Sequence, residues 1–251
     1  MCFQSITHLW RDPAHGRLAA VDTRVAVALD VADGARAGAL AAELAAEVGV
    51  FKIGLELFTR EGPGVVRAIA ATGARIFLDL KYHDIPNTVE RAVAAAAALP
   101  GVAYLTVHAA GGSAMLAAAV RARDACGPQA PALLGVTVLT SLDESDLQAT
   151  GVPATPRAQT LRLARLALDA GLDGLVCSAD EVAALRAAFG PGPLLVVPGI
   201  RPEGSAPGDQ KRTATPATAL RDGASLLVVG RPITGVAVPR DAARALLRSL
   251  P

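Results

Sequence analysis

The chain has 251 residues, 24 basic and 23 acidic, and its formal net charge of +1 leaves no broad electrostatic footprint for nucleic acid or an anionic membrane surface. Hydrophobic residues make up 52% of the sequence, much of it alanine, but the longest apolar run, Ala92 to Leu99, is far short of the roughly 18–20 residues that span a bilayer. Three scattered cysteines (Cys2, Cys126, Cys177) lack CxxC spacing, which argues against a disulfide framework or a zinc site; with no signal-peptide core at the amino terminus, they point to a reducing cytoplasm.

Residues 1–23 read as a short N-terminal extension. From residue 24 to 251 the chain alternates β-branched runs with alanine–leucine stretches of helical period. The predicted strands are 24–31, 50–57, 75–82, 103–109, 132–139, 173–179, 194–200 and 225–231. Helical patterns at 34–49, 62–73, 88–100, 113–125, 156–171 and 180–190 separate most of them. A short piece at 215–223 precedes the last strand, and a helix at 239–250 closes the chain. The strands are near-continuous apolar runs, as expected when both faces of a parallel sheet are covered. About eight such units in one domain favour an α/β fold of the (β/α)8 TIM-barrel type. An open doubly wound sheet uses the same local pattern, but it predicts a glycine-rich loop after the first strand, and ALDVADGAR has no GxGxxG.

In such a barrel the active face lies at the carboxyl ends of the strands. Those ends carry Asp30, Lys52, Asp79 with Lys81, His108, Thr140 with Ser141, Arg201, and Gly230 with Arg231. Polar groups thus gather at one end of apolar strands. Asp79 and Lys81 are two residues apart, so in an extended strand both leave the same face, while Leu78 and Leu80 take the other. Asp84 has the opposite parity and follows a bend, so it need not join them within one chain. Pro86 fits a helix start, with Ile85 held extended before it.

Neighbouring carboxylates offset the penalty for burying a lysine charge, so an alternating Lys–Asp set suits a closed pocket. A plain ion-pair cluster at the barrel rim would use the same residues. Gly230 and Arg231 after the last strand fit the phosphate site that barrels build at strands seven and eight. The polar segment 201–216 reads as a ligand loop, from which Arg201 and Gln210 can close over the same phosphate. None of the four histidines is assigned as a catalyst: His83 reads as loop support, and His108 as a neighbour of the site rather than part of it.

The segments LDV at 29–31, FKIG at 51–54, DLKYHDIPNT at 79–88, VHAAGG at 107–112, LTSLDESDL at 139–147, PGIR at 198–201, DQ at 209–210 and VVGRPIT at 228–234 carry a resemblance. In this order, from about residue 24 to the end, they resemble the orotidine 5′-phosphate decarboxylase family. The resemblance implies conversion of orotidine 5′-monophosphate (OMP) to UMP and CO2 in pyrimidine biosynthesis, with no cofactor and no metal. It implies that Asp30 and Lys52 bind the ribose hydroxyls and that Asp79 sits beside the substrate carboxylate. Lys81 then protonates C6. Asp84 and Thr88 reach the partner's site in a homodimer, Thr140 and Ser141 read the pyrimidine, and Arg201, Gln210, Gly230 and Arg231 hold the phosphate. Two rivals remain at this stage: a metal-dependent phosphosugar decarboxylase or aldolase of the same suprafamily, and a non-catalytic phosphate-binding barrel.

Overall fold

Eight apolar runs close on one another because each can bury both faces, one against helices and one inside the barrel. The computed structural model describes residues 7–11, 18–201 and 214–251. Its strands are β1 (Thr7–Arg11), β2 (Leu18–Ala28), β3 (Val48–Gly54), β4 (Arg75–Tyr82), β5 (Val102–His108), β6 (Ala132–Val136), β7 (Gly174–Val176), β8 (Leu194–Val197) and β9 (Leu226–Val229). β2 to β9 are parallel and lie in sequence order, and pairing of Val25–Val27 with Leu227–Val229 closes the ring. This is the expected (β/α)8 barrel.

Side-chain alternation divides the core into two layers. Val25, Val27, Leu29, Phe51, Ile53, Ile76, Leu78 and Leu105 belong to the layer between sheet and helices. Ala26, Ala28, Val50, Phe77, Tyr104, Leu134, Val196, Leu226 and Val228 form a separate inner cluster. Inside the barrel, the small Ala26 and Ala28 share space with two large rings: Phe77 and Tyr104 meet edge to face at 5.9 Å. The barrel interior is packed, so a ligand can enter only above this layer.

Several local features differ from expectation, and β7 and β8, like β6, end three residues short of their predicted runs 173–179 and 194–200. Leu55–Glu61 is a helix, where a strand was expected to run on to residue 57. Gly54 makes the last ladder pair with Asp79, and beyond it LELF buries Leu57 while leaving Leu55 and Glu56 exposed, a one-sided pattern that suits a helix. β6 stops at Val136 rather than 139: the Thr137 N–H makes a ladder bond to the Val176 carbonyl at 3.2 Å, the Thr137 hydroxyl donates to the same oxygen at 2.8 Å, and the pairing with β7 ends there. β2 begins at Leu18, ahead of the predicted Arg24, and its first residues pair antiparallel with β1.

Candidate active site

The inner faces of the strands turn from apolar to charged at one level. Above Ala28 comes Asp30, above Val50 comes Lys52, above Phe77 comes Asp79, and above Val228 comes Gly230. These groups line a cavity of 480 Å³, together with Lys81, Thr140, Ser141, Arg201 and Arg231. Its floor and sides are apolar, from Ala28, Phe77, Val136, Val138, Val176 and Val228.

Four charges alternate along one side of this cavity. Lys52 Nζ donates to Asp30 Oδ1 at 3.0 Å and lies 3.9 Å from Asp79 Oδ2. Lys81 Nζ donates to that same Asp79 oxygen at 2.8 Å. Lys52 and Asp79 are each only 8% exposed, so their charges are held by one another rather than by bulk water. Gly54 makes room for the chain of charges. A Cβ there would stand 3.0 Å from Lys52 Nζ and 3.3 Å from Asp30 Oδ1. Gly54 is not among the candidate residues the sequence offers, although its place in FKIG, just after the lysine, is a signal for it.

The Asp79–Lys81 pair is made differently from what simple strand parity suggests. Lys81 has φ +50°, the one positive value at a non-glycine among the described residues. Such a conformation costs about 1–3 kcal/mol and persists only where its surroundings enforce it. Register along β4 and β5 shifts at this point: Leu78 pairs with Leu105, but Tyr82 pairs with Val107. The bulge is filled by Thr106, which is fully buried. Its hydroxyl donates to Asp79 Oδ1 at 3.0 Å and accepts from the Lys81 backbone N–H at 2.9 Å. Thr106 was also missed in the sequence. The available signal was a hydroxyl on the inward face of β5, two residues past Tyr104.

Another part of the cavity lining is cationic. Arg201 and Arg231 both line it. Burial lowers the Arg201 pKa from its ordinary value, and the charge of Arg231 lowers it further. Two guanidiniums directed at one space suit an anion with several oxygens. Gly199, with φ +76°, turns the chain from β8 toward Arg201 in a conformation that favours glycine. The Arg201 N–H then donates to the Ala214 carbonyl at 3.0 Å, which brings the two ends of the long loop together. Gln210 lies outside the described residues. Thr140 and Ser141 occupy the turn after β6, which leads into a helix at Glu144–Ala149 fixed by a reciprocal cap between Asp143 and Asp146.

Asp84 and Thr88 do not line their own chain's cavity. They belong to an exposed run, 83–88, in which Ile85 is 67% exposed. Asp84 Oδ1 accepts from the Ile85 N–H at 2.7 Å, ahead of the helix Pro86–Ala97. His83 and His108 pack ring against ring at 5.4 Å, and neither lines the cavity. Among the described residues, no group of three or more His, Cys, Asp or Glu side chains is arranged to hold a metal ion, and no helix is long and apolar enough to cross a membrane.

A paired-lysine, paired-aspartate network sharing one cavity with two arginines at the mouth of a β/α barrel defines a barrel enzyme for a small anionic ligand. The orotidine 5′-phosphate decarboxylase / HUMPS family matches residues 23–246. A relative from Anaeromyxobacter sp. (strain K), named orotidine 5′-phosphate decarboxylase, is 57% identical over 90% of this chain and 98% of its own length. One of the same name from Alcanivorax borkumensis is 50% identical over 92% and 99%. The crystal structure of orotidine 5′-phosphate decarboxylase from Lactobacillus acidophilus superposes with a TM-score of 0.80 at 38% identity, over 90% of this chain and 98% of that one. The chain belongs to the orotidine 5′-phosphate decarboxylase / HUMPS family.

Proposed function

We propose that this protein decarboxylates OMP to UMP and CO2 in pyrimidine biosynthesis, without a cofactor. The observation that carries the mechanism is the shared oxygen of Asp79, 2.8 Å from the ammonium of Lys81 and 3.9 Å from that of Lys52. Arg201, Arg231, Gly230 and the loop residue Gln210 hold the phosphate. Asp30 and Lys52 take the ribose hydroxyls, and Thr140 and Ser141 read the pyrimidine edge. The substrate carboxylate then comes to lie beside Asp79, with Lys81 directed at C6.

When the C6–carboxylate bond breaks, CO2 departs and the bonding electrons stay on C6. A positioned ammonium stabilises that developing charge and donates its proton to C6, completing UMP; the neutral amine regains a proton from solvent. Nothing in the ring absorbs the electron pair, so the site must supply barrier lowering toward the upper end of the roughly 8–23 kcal/mol that enzymes provide. The phosphate lies away from the reacting bond, and its binding energy serves to hold the pyrimidine against the network.

The catalytic unit in this reading is a cytoplasmic homodimer, formed by the barrel domain 24–251, that engages neither nucleic acid nor membrane. Asp84 and Thr88 of each chain complete the partner's site, so that Lys81 lies between two carboxylates. The exposed run around Ile85 supports this arrangement. An OMP decarboxylation assay in EDTA tests the function, with wild type beside Lys81→Ala. Turnover in wild type and its loss in the variant, with UMP still bound, is the expected result. Wild-type turnover that is absent, or that needs added metal, would sink the reading. Full turnover by Lys81→Ala would point to a ligand-binding barrel whose network is only structural.

A further inference from the structure

Asp79 and Lys81 are tied together twice, and the second tie runs through a residue that does not touch the cavity. Thr106 has one hydroxyl, and both of its bonds go to the reacting pair: to the carboxylate of Asp79 at 3.0 Å and from the backbone N–H of Lys81 at 2.9 Å. The Lys81 ammonium closes the ring on the other oxygen of Asp79 at 2.8 Å. Thr106 is 0% exposed, so water cannot take over either bond if the hydroxyl is removed. The ring sits where β4 spends four residue steps, Leu78 to Tyr82, against two steps of β5, Leu105 to Val107. It also encloses the positive φ of Lys81.

We propose that Thr106 is a positioning residue for the decarboxylation: its hydroxyl pins the β4 bulge and thereby fixes the Lys81 ammonium against Asp79 before substrate arrives. This rests on the proposed function of the site. A bulge re-aims a side chain relative to a regular strand, and here it delivers the lysine into the cavity. With the hydroxyl gone, the Lys81 N–H and Asp79 Oδ1 each lose a buried partner, and the left-handed backbone at Lys81 loses the bond that ties it to β5. Displacing the proton donor acts on the chemical step. Phosphate and ribose contacts, made by other strands, are left in place.

The test compares wild type with Thr106→Val, which keeps the branched shape without the hydroxyl, and with Thr106→Ser, which keeps the hydroxyl without the methyl. kcat and KM for OMP, UMP affinity and thermal unfolding are measured on each. Thr106→Val is expected to lower kcat by about 10–100-fold, while KM and the UMP Kd move by less than about threefold. Thr106→Ser is expected to recover most of kcat. If Thr106→Val does not fold, Thr106→Ser against Thr106→Ala gives the same comparison, with the serine variant faster by at least about tenfold. A purely structural residue would lower the unfolding temperature and leave kcat per folded site unchanged. That result, or equal impairment of the hydroxyl-bearing and hydroxyl-free variants, overturns the proposal. Wild type that fails to turn over OMP overturns the reading of the site, and this proposal with it. Wild type that is active beside an equally active Thr106→Val overturns the proposal alone.

Discussion

The ammonium groups of Lys52 and Lys81 both look at one oxygen, Oδ2 of Asp79, from 3.9 and 2.8 Å. A single buried carboxylate therefore holds two cations in place, and the other oxygen is already occupied by the Thr106 hydroxyl. The arrangement is fixed before any substrate charge enters.

Asp79→Asn removes the charge that both lysines share while keeping the side-chain shape. Lys52 keeps its bond to Asp30 at 3.0 Å, whereas Lys81 loses the Asp79 carboxylate; because Lys81 is partly exposed, the unfolding free energy is expected to fall by about 1–3 kcal/mol, measured by urea denaturation. Decarboxylation should fall far more than UMP affinity. An unchanged denaturation midpoint would mean that water in the cavity, not Asp79, carries the lysine charges.

Subunit exchange tests the assignment of Asp84. Lys81→Ala chains and Asp84→Ala chains, each inactive alone, are mixed in equal amounts. Random pairing makes half of the dimers mixed, and each mixed dimer has one intact site of two, so about a quarter of wild-type turnover should return. No recovery after demonstrated exchange would place Asp84 in its own chain's site, and full turnover by Asp84→Ala chains alone would place it outside the chemistry.

Gly54→Ala puts a methyl group 3.0 Å from Lys52 Nζ. Since the neighbour is the end of a flexible side chain, the lysine moves rather than the fold. Expected are a drop in kcat/KM of at least about tenfold and an almost unchanged unfolding temperature. Wild-type kcat/KM would show that the position of Lys52 has slack.

Arg231→Ala should weaken UMP binding by about 10–100-fold, the scale of a lost charge-assisted contact, and weaken uridine binding by less than about twofold. Isothermal titration with both ligands separates the cases. Equal losses for nucleotide and nucleoside would move the phosphate away from Arg231.

His108 supplies a pH signature. Burial pulls its pKa below the ordinary histidine value, His83 and Lys81 pull it further, and Asp79 opposes them. Between the folded pKa and the unfolded value of about 6.5, the unfolded chain binds more protons, so stability rises with pH across that window. The contribution is complete above about pH 6.5 and is lost as pH falls toward the folded pKa. His108→Gln should therefore flatten the decline in unfolding free energy between pH 7.5 and 5. Parallel curves for the two proteins would assign the decline to other groups.

Much of this was legible in the linear chain because the signals are local. β4 spans Arg75–Tyr82, as its apolar run predicts, and the helix after Pro86 begins where the proline and the extended Ile85 require. Alternation also placed Asp79 on the inward face above Phe77. The segment from Leu55 is ambiguous in the sequence because a short apolar run fits a strand and a helix equally well, and only the end of the ladder at Gly54 chooses between them.

By itself, the sequence determined which residue types are present, their order, and which strand ends bring charge to the barrel mouth, since period and composition are properties of the chain. The tertiary structure alone decided how Lys81 reaches Asp79. Two residues of spacing in an extended strand put both on one face, but the pair is formed across a bulge with Lys81 at φ +50°. That backbone is held by a hydroxyl 25 residues further along, on the neighbouring strand. Contacts between strands depend on register, and register is set only when the barrel closes.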